Sequence, residues 1–400
     1  MRLAVRKRKW KTNKGVDKEA WVVDYSDQTG RHIETFARKK DADARHAEVT
    51  VDIGKGVHTS HAQSLTVGEA ADRWIEYIRL EGREASTIAQ YTQHAEFHIK
   101  PRIGDERLSK LTTPRVQAFR DELLRDISRP LAKKVLTSLK SLLTDAQRRG
   151  NATQNVARGV SIRADKRQKK RIQSGVDFPT REEVKTIVEH VQGRWRPLII
   201  TAIFTGLRAS ELRGLRWEDV DIENKRLHVR QRADRYNVIG SPKSEAGNRV
   251  VPLPPLVVNT LREWKISNGS VGLVFGNTLG KVESLANIIN RGLVPPQIAG
   301  GVVNSRGIPT FSRRHEKQKA GDLPLILPPA AKYTGMHSLR HFYASWCINP
   351  KPAGLGLSAK VVQERLGHSS IVMTMDVYGH LFPSDDEGEE MAAAESALLA

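Results

Sequence analysis

The sequence predicts a multidomain protein that is mainly helical and carries small β-sheets. Its 400 residues exceed what one hydrophobic core usually serves, so two or three domains are expected. Apolar residues at helical spacing, preceded by capping residues, dominate the middle of the chain. Short alternating runs typical of strands stand near the N-terminus and again past residue 225. These patterns predict a small sheet-plus-helix domain, a four-helix domain and a mixed α+β domain, in that order.

The first domain is expected over residues 1–60. Two strand-like runs, Trp21–Tyr25 and His32–Phe36, flank the turn-forming residues 27–30, as the arms of a β-hairpin would. A helical stretch follows from about residue 39 to residue 51. A short sheet covered by one helix is therefore predicted.

The second domain, residues 62–160, is expected to be a four-helix unit. Its signals are a capping box, a Thr-Pro helix start, and an apolar stripe that a glycine terminates. In chain order these signals are Thr66 with Glu69, Thr113-Pro114, and Leu131 to Ala146 ahead of Gly150.

The third domain, residues 177–383, is expected to combine helices with a small sheet. A second capping box, Thr180 with Glu183, begins it, and two alternating runs have the character of hairpin arms. The expected helices cover about 198–211, 337–347 and 358–366, and the expected strands are Arg226–Arg232 and Arg249–Leu253.

One segment of the third domain does not follow either period. Residues 281–336 contain Pro, Gly and the basic residues Arg306, Arg313 and Arg314. They are interpreted as either an insertion whose arginines contact a polyanionic partner or a surface loop.

The bulk composition narrows the function. The chain has 65 Lys and Arg against 45 Asp and Glu, a net charge of +20 that attracts polyanions through counterion release. A solvated basic surface without a partner is the alternative on charge alone. No apolar run is long enough for a membrane span and the basic start lacks an apolar signal region, so a cytoplasmic protein is expected. The single cysteine, Cys347, excludes an intramolecular disulfide and a thiolate zinc cluster.

Basic residues concentrate in two places, both candidate DNA contacts. Residues 1–14 hold seven basic residues and no acidic ones, and a disordered, solubilising tail is the alternative there. Residues 161–176 lack a helical period and predict a basic linker. An acidic patch and a helix-prone tail occupy residues 384–400. The candidate DNA-binding residues are Arg2, Arg6, Lys7, Arg8, Lys9, Arg163, Lys166, Arg167, Lys169, Lys170 and Arg171.

Five short segments of the third domain stand out together. They read Thr205-Gly-Leu-Arg-Ala-Ser-Glu-Leu212, Pro242-Lys-Ser-Glu-Ala-Gly-Asn-Arg-Val-Val-Pro-Leu253, His337-Ser-Leu-Arg-His341, Leu366-Gly-His-Ser369 and Met375-Asp-Val-Tyr-Gly-His380. In these segments, and in their order, the sequence resembles the tyrosine recombinase (phage integrase) family. One segment alone would be a weak signal, whereas five in order are specific. The resemblance implies a complete catalytic set: Arg208, Lys243, His337, Arg340, His368 and Tyr378.

These residue types suit the breaking and rejoining of DNA without water. A tyrosine phenol can attack the phosphodiester and keep the bond energy in a covalent ester. Two arginines can clamp the phosphate oxygens, which gain negative charge in the transition state. A lysine on a mobile hairpin can protonate the leaving 5′ oxygen. The two histidines supply hydrogen bonds, and either is a candidate acceptor of the tyrosine proton.

Each residue alone also has a structural interpretation. Arg208 is consistent with a helix cap or an ion pair with Glu211, and Lys243 with a solvated hairpin tip. Tyr378 is consistent with a partly buried core tyrosine. The joint occurrence of the five segments favours the catalytic interpretation.

A metal site is the obvious rival in a protein that cuts DNA. His337 and His341 stand at i, i+4, a spacing at which two histidines can share a metal. No glutamate lies between them and no carboxylate cluster of the two-metal type accompanies them. We therefore expect neither a metal nor another cofactor.

The resemblance also implies roles for the other domains. The helical second domain would be a core-binding (SAM-like) domain that clamps the crossover DNA together with the catalytic domain. The first would be the arm-type DNA-binding domain of larger phage-type integrases, with the basic N-terminus as a flexible arm. The tail beyond Tyr378 would pack on a neighbouring subunit, giving a homotetramer on two DNA duplexes.

The function implied is site-specific recombination through a 3′-phosphotyrosyl intermediate. Its substrates would be double-stranded attachment sites, and it would integrate and also excise a mobile element such as a phage genome. A host DNA-bending protein and an excision factor are candidate partners, and no membrane partner is expected. The alternatives are a catalytically silent DNA-binding regulator and a type IB topoisomerase-like enzyme that relaxes DNA.

Overall fold

The structure, a computed structural model, shows two compact units that span Met1–Arg167 and Gln168–Ala400. It describes residues 3–11, 17–27, 30–54, 64–163, 171–304, 330–383, 391 and 395–399. Over these residues the chain is mainly helical with small antiparallel sheets, as the sequence predicted. None of the helices in these ranges is long and apolar enough to cross a bilayer.

The chain begins with a three-stranded antiparallel sheet in the order β1-β2-β3, followed by a helix. The elements are β1 (Leu3–Lys11), β2 (Asp17–Asp27), β3 (Gly30–Phe36) and α1 (Lys39–Gly54). A small core forms where α1 covers the sheet, from Val23, Tyr25, Ala42 and Val49. The two predicted strands and the predicted helix are present, each longer than the sequence indicated.

The expectation of a flexible basic arm was wrong for residues 3–11. These residues form β1, which pairs with β2 along its whole length from Leu3 opposite Tyr25 to Lys11 opposite Asp17. The basic composition concealed the alternation of a strand, in which Val5 packs against the core under α1. Arg2 lies outside the described residues.

Residues 64–163 form a helical unit around an apolar core that includes Trp74, Phe119 and Leu139. Its helices are α2 (Val67–Leu80), α3 (Ala85–His94), α4 (Lys100–Ile103), α5 (Thr113–Asp126) and α6 (Arg129–Arg148). A π-helical turn, Ala95–Ile99, joins α3 to α4, so these two act as one long helix and the unit has four helices over this range.

The helix signals of this unit operate largely as predicted. Thr66 and Glu69 form a reciprocal capping box at α2, and Gly150 takes a left-handed conformation after α6. One residue differs: the cap of α5 is Thr112, whose hydroxyl accepts from the Arg115 amide, and the predicted Thr113 is the first helical residue. The shift of one position lies within the usual uncertainty of helix ends.

The second unit combines helices with two short sheets. Its first helices are α7 (Arg181–His190), begun by the predicted Thr180–Glu183 box, α8 (Trp195–Thr205) and α9 (Ala209–Gly214). The strands are β4 (Val220–Asp221), β5 (Arg226–Val229), β6 (Arg232–Ala233), β7 (Ile239–Gly240) and β8 (Arg249–Pro252). One sheet has the order β4-β5-β8 and the other pairs β6 with β7. The run predicted as one strand over 226–232 is thus divided between two sheets.

The remaining helices complete the second unit. They are α10 (Pro255–Asn268), α11 (Leu285–Asn287), α12 (Val294–Ala299), α13 (His337–Ile348), α14 (Ala359–Leu366) and α15 (Ile371–Tyr378), with a π-helical turn, Ile288–Leu293, between α11 and α12. Part of the segment that the sequence did not resolve, 281–304, is therefore helical. Arg306, Arg313, Arg314 and the acidic patch of the tail lie outside the described residues, while residues 395–399 are helical.

The single helix predicted over 198–211 is in fact two helices. α8 ends at Thr205 because Gly206 adopts a left-handed conformation, with φ of +62°. A Cβ at this glycine would stand 2.3 Å from Cδ1 of Tyr343 on α13, so the close packing of α13 also requires glycine. The break makes Arg208 the N-cap of α9 instead of a residue within a helix.

Gly206→Ala should destabilise the second unit by about 2–4 kcal/mol, from left-handed strain together with overpacking against Tyr343. Gly193→Ala is the matched control, because Gly193 also has a positive φ, +57°, but no atom lies within 4 Å of an added Cβ. Urea denaturation with hydrogen–deuterium exchange of α8 and α13 peptides measures both. Equal exchange protection in the two variants would contradict the role of the Tyr343 contact.

Candidate active site

In the second unit, one buried arginine is hydrogen-bonded to the ends of two helices. Arg340, on α13, is 1 % exposed and donates to the carbonyls of Gly206 (Nη1, 2.6 Å) and Leu366 (Nη2, 2.5 Å). Burial and the charge of Arg208 lower the pKa of Arg340 to about 9, so the guanidinium still carries its charge at neutral pH. Arg340 thereby joins the end of α8 to the end of α14.

Arg208 is the more accessible of the two candidate arginines, with 36 % of its side chain exposed. Its Nη1 donates to Oε1 of Glu211 at 2.7 Å, and its Nη2 donates to the carbonyl of Gly367 at 3.1 Å. The backbone amide of Arg208 also donates to Glu211, which completes the start of α9. Arg208 therefore does cap a helix and pair with Glu211, and the same contacts hold it beside the segment that carries His368.

The Glu211 carboxylate is a buried bridge between two arginines. Besides Arg208 it accepts from Nη1 and Nη2 of Arg249, at 3.1 and 2.8 Å, in the forked geometry that arginine and carboxylate favour. Burial would raise the pKa of Glu211, but the hydrogen bonds and charge of Arg249 and the charge of Arg208 outweigh it and lower the pKa to about 2. Nε of Arg249 donates to the carbonyl of Arg365 at 2.7 Å, so the bridge reaches β8 and the end of α14.

The candidate nucleophile lies at the end of α15. Tyr378 is 1 % exposed, and its hydroxyl is 2.8 Å from Nδ1 of His341. Burial raises the pKa of Tyr378 to about 12, against the opposing effect of the positive charges on Arg340 and Arg208. The phenol is therefore protonated at neutral pH and close to both guanidinium groups.

Three imidazole rings surround this phenol. The His337 ring meets the His341 ring edge to face with centroids 4.5 Å apart, and the His368 ring lies parallel to the Tyr378 ring at 6.3 Å. Nδ1 of His368 is 2.9 Å from the hydroxyl of Thr374 on α15. Burial and nearby positive charge lower the pKa of all three, to about 4 for His341 and His368, so the rings are neutral at neutral pH.

Lys243 lies at an exposed position on the loop between β7 and β8. Pro242 precedes Lys243 in this loop and packs closely on Gly247, which follows it. A Cβ added to Gly247 would stand 2.5 Å from the Cβ of Pro242. The buried guanidinium of Arg249 anchors the strand into which the loop leads. The structure thus brings Arg208, His337, Arg340, His368 and Tyr378 together and places Lys243 on an exposed loop that leads into β8.

The predicted DNA-binding residues occupy exposed positions where the structure describes them. Arg6 pairs with Asp24 at 2.7 Å, Lys7 and Lys9 lie 2.8 and 3.7 Å from Glu19, and Arg8 is exposed on the same strand. Arg163 and Arg171 are exposed at the two ends of the basic linker. The other members of the set lie outside the described residues: Arg2, Lys166, Arg167, Lys169 and Lys170.

Glu211, Arg249 and His341 were not assigned to the site from the sequence, although all three stand within the motif segments. Glu211 was considered only as an ion-pair partner of Arg208, and His341 only as half of a metal pair. Their positions in the sequence were the available signal. Glu211 lies three residues after Arg208, His341 directly follows Arg340, and Arg249 begins the strand after Lys243. Among the described residues no group of three or more His, Cys, Asp or Glu is arranged to hold a metal ion.

Comparison with known proteins places this geometry in a family. The model of the phage integrase family matches residues 178–384, just over half of the chain, and that of the phage integrase N-terminal SAM-like domain matches residues 66–124. A XerC-like tyrosine recombinase of Caldanaerobacter subterraneus subsp. tengcongensis is 26% identical over 374 residues, covering 86% of each protein. The ICEBs1 integrase of Bacillus subtilis is 25% identical over 80% of this chain and 82% of its own length.

Solved structures with the same fold are integrases bound to DNA. The Tn1549 transposon integrase in complex with a circular intermediate DNA superposes with a TM-score of 0.59, at 19% identity, over 84% of this chain and all of that one. A lambda integrase tetramer bound to a Holliday junction gives a TM-score of 0.52, at 18% identity, over 90% of this chain and 95% of that one. With the family model covering half of the chain, the conclusion is that this protein belongs to the phage integrase family of tyrosine recombinases and is a site-specific DNA recombinase.

Proposed function

We propose that the protein is the integrase of a mobile genetic element and cuts and rejoins DNA attachment sites through a 3′-phosphotyrosyl intermediate. The observation that carries the proposal is the buried phenol of Tyr378, held beside the guanidinium groups of Arg208 and Arg340. A nucleophile next to two fixed positive charges is the arrangement that a transfer of a phosphodiester to tyrosine requires.

The strand-cleavage step assigns one role to each group. The Tyr378 oxygen loses its proton and forms a bond to phosphorus, while the bond from phosphorus to the 5′ oxygen breaks. Arg208 and Arg340 stabilise the negative charge that the non-bridging oxygens gain, because a guanidinium offers paired, permanently charged donors. Lys243 supplies the proton that the departing 5′ oxygen takes up. Rejoining reverses each bond change.

The neutral histidines fit supporting roles in this step. The His368 ring is oriented by the hydrogen bond of its Nδ1 to Thr374 and lies parallel to the Tyr378 ring. The His337 ring lies at the exposed start of α13. It stands one helical turn before Arg340, which donates to the Gly206 carbonyl at the end of α8. Both rings can offer a neutral N–H donor to a phosphate oxygen next to the two arginines.

The helical unit of residues 64–163 is proposed to bind the crossover DNA opposite the catalytic domain, with the basic linker of residues 161–176 along the phosphate backbone. Its likeness to the SAM-like domain of phage integrases supports this role. Arg163 and Arg171, exposed at the ends of the linker, are proposed backbone contacts.

The sheet of the first 36 residues is proposed to bind a second, arm-type DNA site. Arg6 and Arg31 both reach Asp24 of β2, so these side chains share the face of the sheet opposite to α1. By strand alternation Arg8 and the half-exposed Trp10 lie on this face as well. A small basic sheet has a width that the major groove of DNA accommodates.

The assembly proposed is a homotetramer on two DNA duplexes, as in the lambda integrase complex with a Holliday junction. The tail of residues 384–400 is proposed to pack on a neighbouring subunit. A host DNA-bending protein and an excision factor are proposed partners that would set the direction of recombination. The site of action is proposed to be the nucleoid in the cytoplasm of the bacterial host, where the DNA substrate is.

The nucleophile is tested with a duplex from the element's junction that carries a nick to trap cleavage, incubated in EDTA. Wild type should form a covalent adduct at the DNA 3′ end, and Tyr378→Phe should form none while binding the same DNA with unchanged affinity. Tyr236→Phe is the matched control, since Tyr236 is 46 % exposed on the β6–β7 turn, and it should form the adduct normally. A wild-type protein that binds the duplex but gives no adduct would leave a DNA-binding regulator.

The buried bridge is tested with Glu211→Gln, which keeps the shape and removes the charge. The folded pKa of about 2 lies below the usual 4.5, so the carboxylate contributes stability that is present above pH 4.5 and lost as pH falls towards 2. Wild type should exceed the variant by about 3 kcal/mol in free energy of unfolding at pH 7, and the difference should shrink below pH 4.5.

Urea denaturation of both proteins between pH 7 and pH 3 measures this difference. Glu218→Gln is the control, because its carboxylate is 63 % exposed and should contribute little at any pH. A Glu211→Gln difference that stays constant down to pH 3 would contradict the lowered pKa of Glu211.

The arm-binding role is tested with Arg8→Ala in the full chain. Affinity for DNA outside the crossover site should fall several-fold, and the slope of log affinity against log salt should decrease in magnitude by about one. Arg38→Ala is the control, because Arg38 is exposed at the start of α1 and pairs with Asp41. Cleavage of the nicked duplex should not change. Unaltered affinity and salt dependence in Arg8→Ala would argue against DNA binding by this face.

A further inference from the structure

The hydrogen bond between Tyr378 and His341 connects the nucleophile to a residue outside the implied catalytic set. The phenol oxygen is 2.8 Å from Nδ1 of His341, and the two rings meet edge to face with centroids 5.6 Å apart. His341 belongs to α13 and Tyr378 ends α15, so two separate helices fix this contact. The pair is partly buried, which limits competition from water.

The two histidines of the implied set are engaged elsewhere. Nδ1 of His368 is hydrogen-bonded to the Thr374 hydroxyl, and its ring is parallel to the Tyr378 ring with centroids 6.3 Å apart. His337 lies one helical turn before His341. The two rings meet edge to face, with centroids 4.5 Å apart. Within the described chain, His341 is therefore the imidazole that the Tyr378 hydroxyl meets.

The charge states of the two groups allow the phenol to donate this hydrogen bond to the ring. Burial, His337 and Arg340 lower the pKa of His341 to about 4, so its ring is neutral at neutral pH. The phenol, with its pKa raised to about 12, keeps its proton and can donate it to a neutral ring. Nδ1 of His341 accepts in the tautomer that carries the ring proton on Nε2.

We propose that His341 is a catalytic residue that accepts the Tyr378 proton during strand cleavage and returns it when the tyrosine leaves during rejoining. This inference rests on the proposed phosphotyrosyl chemistry. In cleavage the Oη–H bond breaks, the proton passes to Nδ1, the Oη–P bond forms, and the P–O5′ bond breaks with the 5′ oxygen protonated by Lys243. In rejoining His341 donates that proton to the departing phenolate.

The surroundings of His341 support a transient positive charge there. Four groups act on the ring: Tyr378 through the hydrogen bond, His337 and Arg340, which oppose its protonation, and the carboxylate of Asp177, which favours it. A scissile phosphate beside Arg340 adds a negative charge that offsets the guanidinium, and so it favours the imidazolium at the moment when Tyr378 attacks.

The test separates proton acceptance from positioning. His341→Asn places an amide oxygen where Nδ1 stands, so it can hold the phenol but cannot take its proton, whereas His341→Leu can do neither. Adduct formation on the nicked duplex should fall about 10²- to 10⁴-fold in both variants, the range typical of a general base. His190→Asn is the control, since that ring bonds to the Thr186 carbonyl on its own helix, and it should cleave at the wild-type rate.

A second reaction supplies the readout that a structural role would not produce. Duplex DNA ending in a 3′-p-nitrophenyl phosphate is joined to a 5′-hydroxyl strand, with nitrophenolate as a leaving group that needs no proton. His341→Asn, like Tyr378→Phe, should join this substrate at close to the wild-type rate, which also shows that the variant is folded. Lys243→Ala should instead be slow in both reactions, because the 5′ oxygen exchanges a proton in each.

Two results would overturn the assignment: wild-type cleavage by His341→Asn, or equal losses in cleavage and in joining of the nitrophenyl ester. Failure of the proposed function has a different signature, since wild type itself would then give no adduct. Wild-type adduct formation with normal cleavage by His341→Asn would reject the role of His341 alone.

Discussion

The catalytic unit depends on a carboxylate that is buried between two guanidinium groups. Removing Glu211 from water is costly for the charged form. That cost is offset because the guanidinium of Arg249 binds both carboxylate oxygens, while the guanidinium and the backbone amide of Arg208 bind one each. The dependence is mutual, since the two arginines can approach each other only with the carboxylate between them. Through Arg249 the same bridge holds the carbonyls of Arg365 and Gly247. Arg208, the segment before His368 and the end of the Lys243 loop are therefore fixed by one charge cluster.

The second constraint comes from how two helices end. α8 and α14 both terminate at left-handed glycines, Gly206 and Gly367, which leave carbonyls without a partner inside the helix. Arg340 takes one carbonyl from each end. A cation at a helix C-terminus is favourable, and here the same side chain also supplies a positive charge at the site. In the proposed mechanism, fold and function thus use one residue. A Cβ at either glycine would meet Tyr343 or Arg249.

The sequence predicted the order of elements and the composition of the site better than its connections. Caps and apolar periods located most helices, because those signals are local. The break at Gly206 was missed because it depends on Tyr343, which is distant in sequence. β1 was missed because four consecutive basic residues, Arg6 to Lys9, interrupt any apolar alternation on a sheet that covers only a small core. The bond from His341 to Tyr378 spans 37 residues, and no spacing rule predicts which ring of a histidine pair a tyrosine will meet.

Burial has different consequences for the arginines and the histidines of the site. Desolvation penalises every ionised form, yet a guanidinium has so high an intrinsic pKa that Arg340 stays charged even when buried. The same desolvation, together with those positive charges, makes the imidazoles of His341 and His368 neutral. Fixed positive charge is what a phosphate needs, and an unprotonated ring nitrogen is what a phenol proton needs. The same buried environment therefore holds charged arginines and neutral histidines. This is possible because the intrinsic pKa of arginine lies far above neutral pH, whereas that of histidine lies close to it.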